Sequence, residues 1–211
     1  MRSSRACLAA RHWLAESLRA SGCALHAYVL MTNHVHLLLT PPDTDALPRL
    51  MISQGRRYVQ YINKTYRRTG TLWDSRYKSL LVQADDYLLR CQRYIELNPV
   101  RAAMVDDPAH YRWSSYRANG LGQDDPLVSP DEVFLALRQD AAARQSSYRG
   151  LFRPELDAEA IGYIPLALNQ GQPLAGHRAA PGSQAARPAK KSCGGGSCRG
   201  IVGDGNMSRA S

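Results

Sequence analysis

The chain has 211 residues and a formal net charge of +9 at pH 7. This length suits one domain of ordinary size followed by a tail. Because apolar runs are short and charged side chains interrupt the N-terminal segment, we expect neither a membrane helix nor a signal peptide. The five cysteines are scattered and odd in number, which argues against a disulfide framework and predicts a cytoplasmic protein.

The positive charge is concentrated in the middle and at the end of the chain. Residues 47–120 carry a net +7 and residues 171–211 a net +5, whereas residues 121–170 carry −4. A basic central block suggests a polyanionic partner, most simply nucleic acid. Basic side chains on amphipathic helices also form ordinary solvated faces, and charge alone does not separate the two interpretations.

The first half of the chain predicts a helix, a hairpin and a second helix. Apolar residues at helical spacing predict a helix over 6–20. Strand-like segments at 24–31 and 34–40, joined by a Thr32-Asn33 turn, predict a β-hairpin. From Leu47 to about Arg67, a long amphipathic helix carries arginines and lysine on its polar positions.

The second half predicts an extended segment, two helices and a tail. Residues 72–82 alternate aromatic and basic side chains as an extended segment does. A helix is predicted over 85–98, where Pro99 enforces a break or kink. A further amphipathic helix is predicted over 131–147. Residues 171–211 are rich in Gly, Pro, Ala and Ser and predict a disordered basic tail.

Two histidines stand two residues apart in the second strand of the hairpin. Side chains at that spacing share one face of a strand, so His34 and His36 are expected to point the same way. Their imidazoles could then hold one metal ion. A structural zinc site is the bland alternative, but no third His or Cys stands at suitable spacing.

A second group of polar residues follows one stripe of the helix predicted over 85–98. Tyr87, Cys91, Tyr94 and Asn98 stand at i, i+4, i+7 and i+11. Tyrosines at this spacing are often core residues, and Asn98 before a proline could simply satisfy the end of a helix. Alternatively, the Asn98 amide oxygen completes a metal site with the histidines, and a tyrosine attacks a phosphodiester there.

Several sequence blocks resemble a known family. The blocks are Tyr28–Leu39, Gly70–Trp73, Arg76–Ser79, Arg93–Ala102 and Tyr111–Tyr116. In order and spacing, they resemble the single-tyrosine HUH transposases, and most closely the bacterial REP-associated tyrosine transposase branch. The resemblance covers roughly residues 6–120.

The resemblance implies a fold, a mechanism and a set of ligands. It implies an α+β, ferredoxin-like antiparallel sheet with helices on one face. His34, His36 and Asn98 match the metal-binding residues of the family, and Tyr94 matches the nucleophile. Such enzymes use Mg²⁺ or Mn²⁺, cleave single-stranded DNA beside a hairpin and form a 5′-phosphotyrosine link. The resemblance leaves a monomer or a homodimer open.

The predicted DNA-binding residues are basic and aromatic side chains of the central block. Interleaved residues of these types bind phosphates and stack on bases. The set comprises Arg56, Arg57, Lys64, Arg67, Trp73, Arg76, Tyr77 and Lys78.

The chain departs from the family at its N-terminus. Relatives usually begin with a strand of the central sheet, whereas this chain opens almost directly in the helix over 6–20. We therefore expect unpaired backbone groups in that sheet. The expected organisation is an N-terminally short catalytic domain (1–120), a helical extension (121–170) and the tail (171–211). Two alternatives stay open: a catalytically silent hairpin-DNA-binding remnant, and a replication initiator or relaxase that uses the same chemistry.

Overall fold

The computed structural model describes residues 4–70, 77–82, 85–152 and 199–203, together with three single residues, Ile164, Leu168 and Gln170. The strands described are β1 (Ala24–Leu30), β2 (Val35–Thr40), β3 (Lys78–Val82) and β4 (Arg199–Gly203). The helices described are α1 (Ser4–Ser21), α2 (Ala46–Tyr66), α3 (Asp85–Glu96), α4 (Asn98–Arg101), α5 (Tyr116–Asn119), α6 (Glu132–Ala136) and α7 (Ala141–Gly150), with a 3₁₀ helix at Pro108–His110. Within these ranges, no helix has the length and apolar character needed to cross a bilayer.

The predicted hairpin is confirmed as the antiparallel pair of β1 and β2. Its register places Tyr28 opposite Leu37 and Val29 opposite His36. The backbone N–H of Met31 donates to the carbonyl of His34 and closes the turn. This register fixes which side chains of the two strands share a face.

The described strands form one antiparallel sheet in the order β1-β2-β4-β3, which confirms the predicted α+β class. The last strand along the chain lies between β2 and β3 and pairs with both. The unpaired backbone groups expected in the sheet are therefore absent along these ladders. Composition predicted disorder for 171–211, whereas the structure shows a strand at Arg199–Gly203. The open edges of β2 and β3 supply hydrogen-bond partners for this strand, which composition does not reveal. The other residues of that range lie outside the described part.

The sheet is covered on both faces, whereas the sequence predicted helices on one face. Tyr28 points to α1, where Arg11 Nε lies 3.4 Å from its hydroxyl. The next residue of β1, Val29, is paired with His36 and shares the opposite face with it. On that face, His36 lies against Tyr94 on α3. Every residue of β1 from Leu25 onward is buried. A strand that is apolar on both faces needs cover on both, so α1 with α2 packs on one side and α3 on the other.

Residues beyond α4 close the outer edge of β1. The backbone N–H of Leu30 donates to the Trp113 carbonyl, and that of Ser115 donates to the Tyr28 carbonyl. Further along, the N–H of Ser129 donates to the Leu25 carbonyl at 2.7 Å. These contacts shield a strand edge that would otherwise be open.

The helix predicted over 131–147 is two helices, α6 and α7. The Asp131 carboxylate accepts from the N–H of Val133 at the start of α6, and the Asp140 carboxylate accepts from that of Ala143 at the start of α7. A side-chain cap begins a new helix because it satisfies backbone N–H groups that have no partner within the helix. The amphipathic spacing did not reveal this second start.

Candidate active site

His34 and His36 lie side by side at the start of β2. The strand begins at Val35, so His34 belongs to the turn rather than to the strand as predicted. The two imidazole rings still share a face, with their centroids 4.9 Å apart. Both rings point toward α3 and the segment that follows it.

Tyr94 is brought to the histidines by the packing of α3. The buried apolar side chains of Leu88, Cys91 and Ile95 fix this helix against the sheet. Because α3 is fixed in this way, the centroid of the Tyr94 ring lies 5.7 Å from that of the His36 ring. Tyr94 is only 7 % exposed. A residue near the end of α3 thus meets a strand almost sixty positions earlier in the chain.

Asn98 reaches the same place from a separate helix. The structure ends α3 at Glu96, and Asn98 begins α4 with Pro99 in its first turn. The prediction that one helix continues to Asn98 is therefore wrong. A proline is favoured in the first turn of a helix and disrupts the interior of a helix, so Pro99 begins a new helix. Nevertheless, His34 Nε2 lies 3.3 Å from Asn98 Oδ1.

The surroundings favour the uncharged form of both histidines. Burial lowers the pKa of His34, and the positive charge of Arg101 acts in the same direction. Burial lowers the pKa of His36 to about 3, with contributions from His34 and Arg101. Metals bind the neutral imidazole, so the site presents the required form near neutral pH.

The polar atoms of the site fit a hard divalent cation. His34 Nδ1 faces Asn33 Oδ1 at 2.8 Å while its Nε2 faces Asn98 Oδ1. A neutral imidazole carries only one hydrogen, so one of these nitrogens directs a lone pair at an oxygen. Within the described ranges, the buried atoms His36 Nδ1 and Asn98 Nδ2 also have no hydrogen-bond partner.

This donor set contains an amide in place of a third acidic or imidazole ligand. In the described ranges, no cluster of three or more His, Cys, Asp or Glu side chains is placed to hold a metal ion. The metal role of the two histidines with Asn98 stays a prediction.

The two other residues of the predicted stripe pack in the core. Tyr87 is partly buried against it, and Cys91 is fully buried, which raises the pKa of its thiol. For these two positions, the structural interpretation of the helical spacing holds. Tyr94 is the tyrosine of this stripe whose ring meets a histidine of the pair.

The predicted DNA-binding residues fall into three groups. Arg56, Arg57 and Lys64 are exposed on α2, where Arg57 forms an ion pair with Glu16, and Arg67 follows the end of that helix. Tyr77 is partly buried against the core and Lys78 is exposed at the start of β3. Two others, Trp73 and Arg76, lie outside the described residues. The structure thus places the α2 group on the opposite face of the sheet from Tyr94.

Sequence reasoning missed Arg101, which contacts Tyr94, and Glu96, which is buried in the same helix two residues after Tyr94. The Arg101 guanidinium carbon lies 4.0 Å from the centroid of the Tyr94 ring. Glu96 is buried and accepts hydrogen bonds from Ser115, Asn119 and Tyr148. Arg101 follows Tyr94 by seven residues, a spacing typical of one helix face, so the sequence did contain a signal for it. The partners of Glu96 lie 19 to 52 positions away and leave no periodicity.

Residues 6–98 match a family model described as transposase, IS200-like. That match supports the transposase family. The matched region contains both histidines and Tyr94 and ends at Asn98. Transposases act on DNA, so the match is consistent with a DNA substrate. No curated protein and no solved structure showed significant similarity to the chain. The REP-associated branch stays a prediction.

Proposed function

We propose that this chain cleaves and rejoins single-stranded DNA through a covalent link between Tyr94 and the 5′-phosphate of the cut strand. The observation that carries the proposal is the meeting of the Tyr94 ring with the histidine pair, 5.7 Å from His36. Asn98 adds an amide oxygen beside His34. The family match supports DNA transposition in general, and the covalent mechanism is the further step proposed.

Tyr94 would act as the nucleophile in a reversible exchange of phosphodiesters. Its phenolic oxygen attacks the phosphorus, and the bond from phosphorus to the 3′-oxygen breaks. The phenolic proton is lost and the departing 3′-oxygen gains a proton, so the products are a 3′-hydroxyl and a phosphotyrosine diester. Attack by a 3′-hydroxyl on that diester reverses the sequence and frees Tyr94, with no outside energy source.

His34, His36 and Asn98 would hold Mg²⁺ or Mn²⁺ beside the tyrosine. When bound, the ion would neutralise charge on the scissile phosphate as a Lewis acid. The chain contributes two neutral imidazoles on partly buried residues and the amide oxygen of buried Asn98. Ligands held in place before binding lose little freedom when the ion arrives.

The substrate we propose is hairpin-forming single-stranded DNA. The support is the family resemblance together with the exposed Arg56 and Lys64 on α2. Because α2 lies across the sheet from Tyr94, these cations would bind phosphates away from the cleaved bond. Such contacts strengthen binding without choosing the cleavage point.

The test is a denaturing-gel assay for a covalent protein–DNA adduct with hairpin DNA and Mn²⁺. Wild type should form the adduct, and Tyr94→Phe should form none while binding the hairpin with similar affinity. Tyr87→Phe is the matched control on the same helix and should form the adduct normally. An adduct that survives in Tyr94→Phe would place the nucleophile elsewhere. Hairpin binding by wild type with no adduct would indicate a catalytically silent DNA-binding protein.

A further inference from the structure

We propose that Arg101 is a further catalytic residue, whose guanidinium binds the scissile phosphate while Tyr94 attacks it. This inference rests on the function proposed above. It adds a group outside the predicted metal ligands and nucleophile, and outside the matched residues 6–98.

Local backbone structure holds Arg101 against the tyrosine. The chain turns after α3, and the short helix α4 returns Arg101 to the last turn of α3. There its Nη2 donates to the Tyr94 carbonyl at 3.3 Å, and its guanidinium carbon stands 4.0 Å from the centroid of the Tyr94 ring. Since one donor of the guanidinium is already anchored, the group is positioned before any substrate arrives.

In the part of the chain that the structure describes, the Arg101 guanidinium has no carboxylate partner, unlike the guanidinium groups of Arg11 and Arg199. Arg11 is paired with Asp125, and Arg199 with Asp85 and Asp131. Among the described residues, no carboxylate pairs with Arg101, whose side chain is bonded to Tyr94. Arg101 is also exposed, so an anion can reach it. An accessible cation beside neutral imidazoles makes this corner of the molecule attractive to a phosphate.

The chemistry of phosphodiester exchange calls for such a group. As the phenolic oxygen approaches phosphorus, negative charge grows on the non-bridging oxygens. A guanidinium has five donors in a rigid fork, and one anchored donor leaves the others available for those oxygens. A purely structural stack on Tyr94 is the alternative, and it predicts no dependence on phosphate charge.

The first arm of the test compares adduct formation by Arg101→Gln with that of wild type on hairpin DNA with Mn²⁺. We expect a loss of about 100-fold, the scale seen when one donor to a transition-state oxyanion is removed. Arg90→Gln is the matched control, because Arg90 also lies over a tyrosine of α3, with 5.3 Å from its guanidinium carbon to the Tyr87 ring centroid. Arg90→Gln should react at nearly the wild-type rate.

The second arm tests contact with the phosphate itself and is done in Tyr94→Phe, which keeps the ring and cannot cleave. Hairpin DNA is prepared with either a phosphodiester or an uncharged methylphosphonate at the scissile position. Adding Arg101→Gln should weaken binding of the phosphodiester about 10-fold, as expected for one charge-assisted hydrogen bond, and leave binding of the methylphosphonate unchanged. Equal weakening with both linkages, or none with either, would overturn the proposal.

The outcomes separate this inference from the function on which it rests. If wild type forms no adduct, both fail. If wild type forms the adduct but the second arm shows no dependence on phosphate charge, the tyrosine mechanism stands and the role of Arg101 is refuted. Thermal unfolding checks that the variants are folded. Should Arg101→Gln be unfolded, Arg101→Lys keeps the charge without the planar fork and should show a smaller loss on the phosphodiester alone.

Discussion

At the scale of single residues, the site depends on histidines that their surroundings keep neutral. An exposed histidine is partly protonated near neutral pH and competes poorly for a metal. Here burial lowers the pKa of both His34 and His36, and the nearby Arg101 adds to the effect. The same arginine leaves positive charge next to two imidazoles that carry none. The arrangement suits an anionic substrate.

Replacement of one histidine should separate metal binding from folding. We expect His36→Ala to lower Mn²⁺ affinity by at least about tenfold. Loss of a residue that only hydrogen-bonds to a metal ligand already has an effect of this size, and loss of a ligand itself should have no smaller one. Titration of bound Mn²⁺ by electron paramagnetic resonance measures the change, and the DNA adduct should fall with it.

His12→Ala provides the control for that experiment. His12 is exposed on α1, where it lies 3.5 Å from Glu16. Its replacement by alanine should leave Mn²⁺ affinity unchanged. Wild-type Mn²⁺ affinity in His36→Ala would show that the histidine pair is not the metal site.

At the scale of elements, β4 supports the strand that carries the histidines. Its backbone pairs Gly203 with His36 and Val202 with Leu37, so β2 has partners along both edges. Arg199 at the start of β4 lies 2.5 Å from an Asp85 oxygen at the start of α3, and its Nε lies 2.8 Å from an oxygen of buried Asp131. The strand is therefore held both by its ladders and by charge.

Loss of the Arg199 charge should loosen β4 and, with it, β2. We expect Arg199→Gln to lower the free energy of unfolding by about 3 kcal/mol, because the carboxylate of Asp131 stays buried without its cation. Amide hydrogen exchange of residues 36–39 should speed up, as measured by mass spectrometry.

An exposed ion pair of similar chemistry serves as the comparison. Arg49 pairs with Asp43 on the surface, and Arg49→Gln should change stability by about 0.5 kcal/mol or less. Equal effects of Arg199→Gln and Arg49→Gln, with slow exchange in β2, would mean that the Arg199 pair does not secure the strand.

At the scale of the whole molecule, a buried carboxylate joins α3 to the helices beyond the matched region. Glu96 is fully buried between α3, Ser115, Asn119 and the Tyr148 hydroxyl of α7. Burial raises its pKa to about 7, although the three donors act in the opposite direction. Tyr148, which lies in the predicted extension, thus contributes to the buried surroundings of α3.

The pKa of Glu96 makes stability depend on pH. Its folded pKa lies above the unfolded value, so folding favours the protonated acid. The contribution is complete below about pH 4.5 and is lost as the pH rises through about 7, to a total of about 3 kcal/mol. Urea unfolding at pH 5 and pH 8 measures this loss for wild type. In Glu96→Gln, the Glu96 part of the difference should vanish, whereas exposed Glu132→Gln should retain it. A Glu96→Gln variant with the wild-type pH dependence would contradict the assignment.

Local patterns were enough to predict much of this molecule. The hairpin follows from two apolar runs around a Thr32-Asn33 turn, and a spacing of two places the rings of His34 and His36 on one face. The long helices follow from apolar residues at helical spacing. These features depend on neighbours within a few positions, where periodicity and turn chemistry act.

Other features depend on partners far along the chain. The placement of Arg199–Gly203 inside the sheet is set by the open edges of β2 and β3, not by its own glycine-rich composition. Similarly, the setting of Glu96 is built from residues up to 52 positions away.

The sequence by itself determined the hairpin, the long helices α1 and α2, the α+β class and the residues that could bind a metal or attack a phosphodiester. Only the tertiary structure decided which strand completes the sheet, that helices cover both of its faces, and which charges surround the tyrosine. The physical reason is that strand pairing and burial are settled between distant segments. A hydrogen-bond ladder or a desolvated charge leaves no regular pattern in the sequence of either partner.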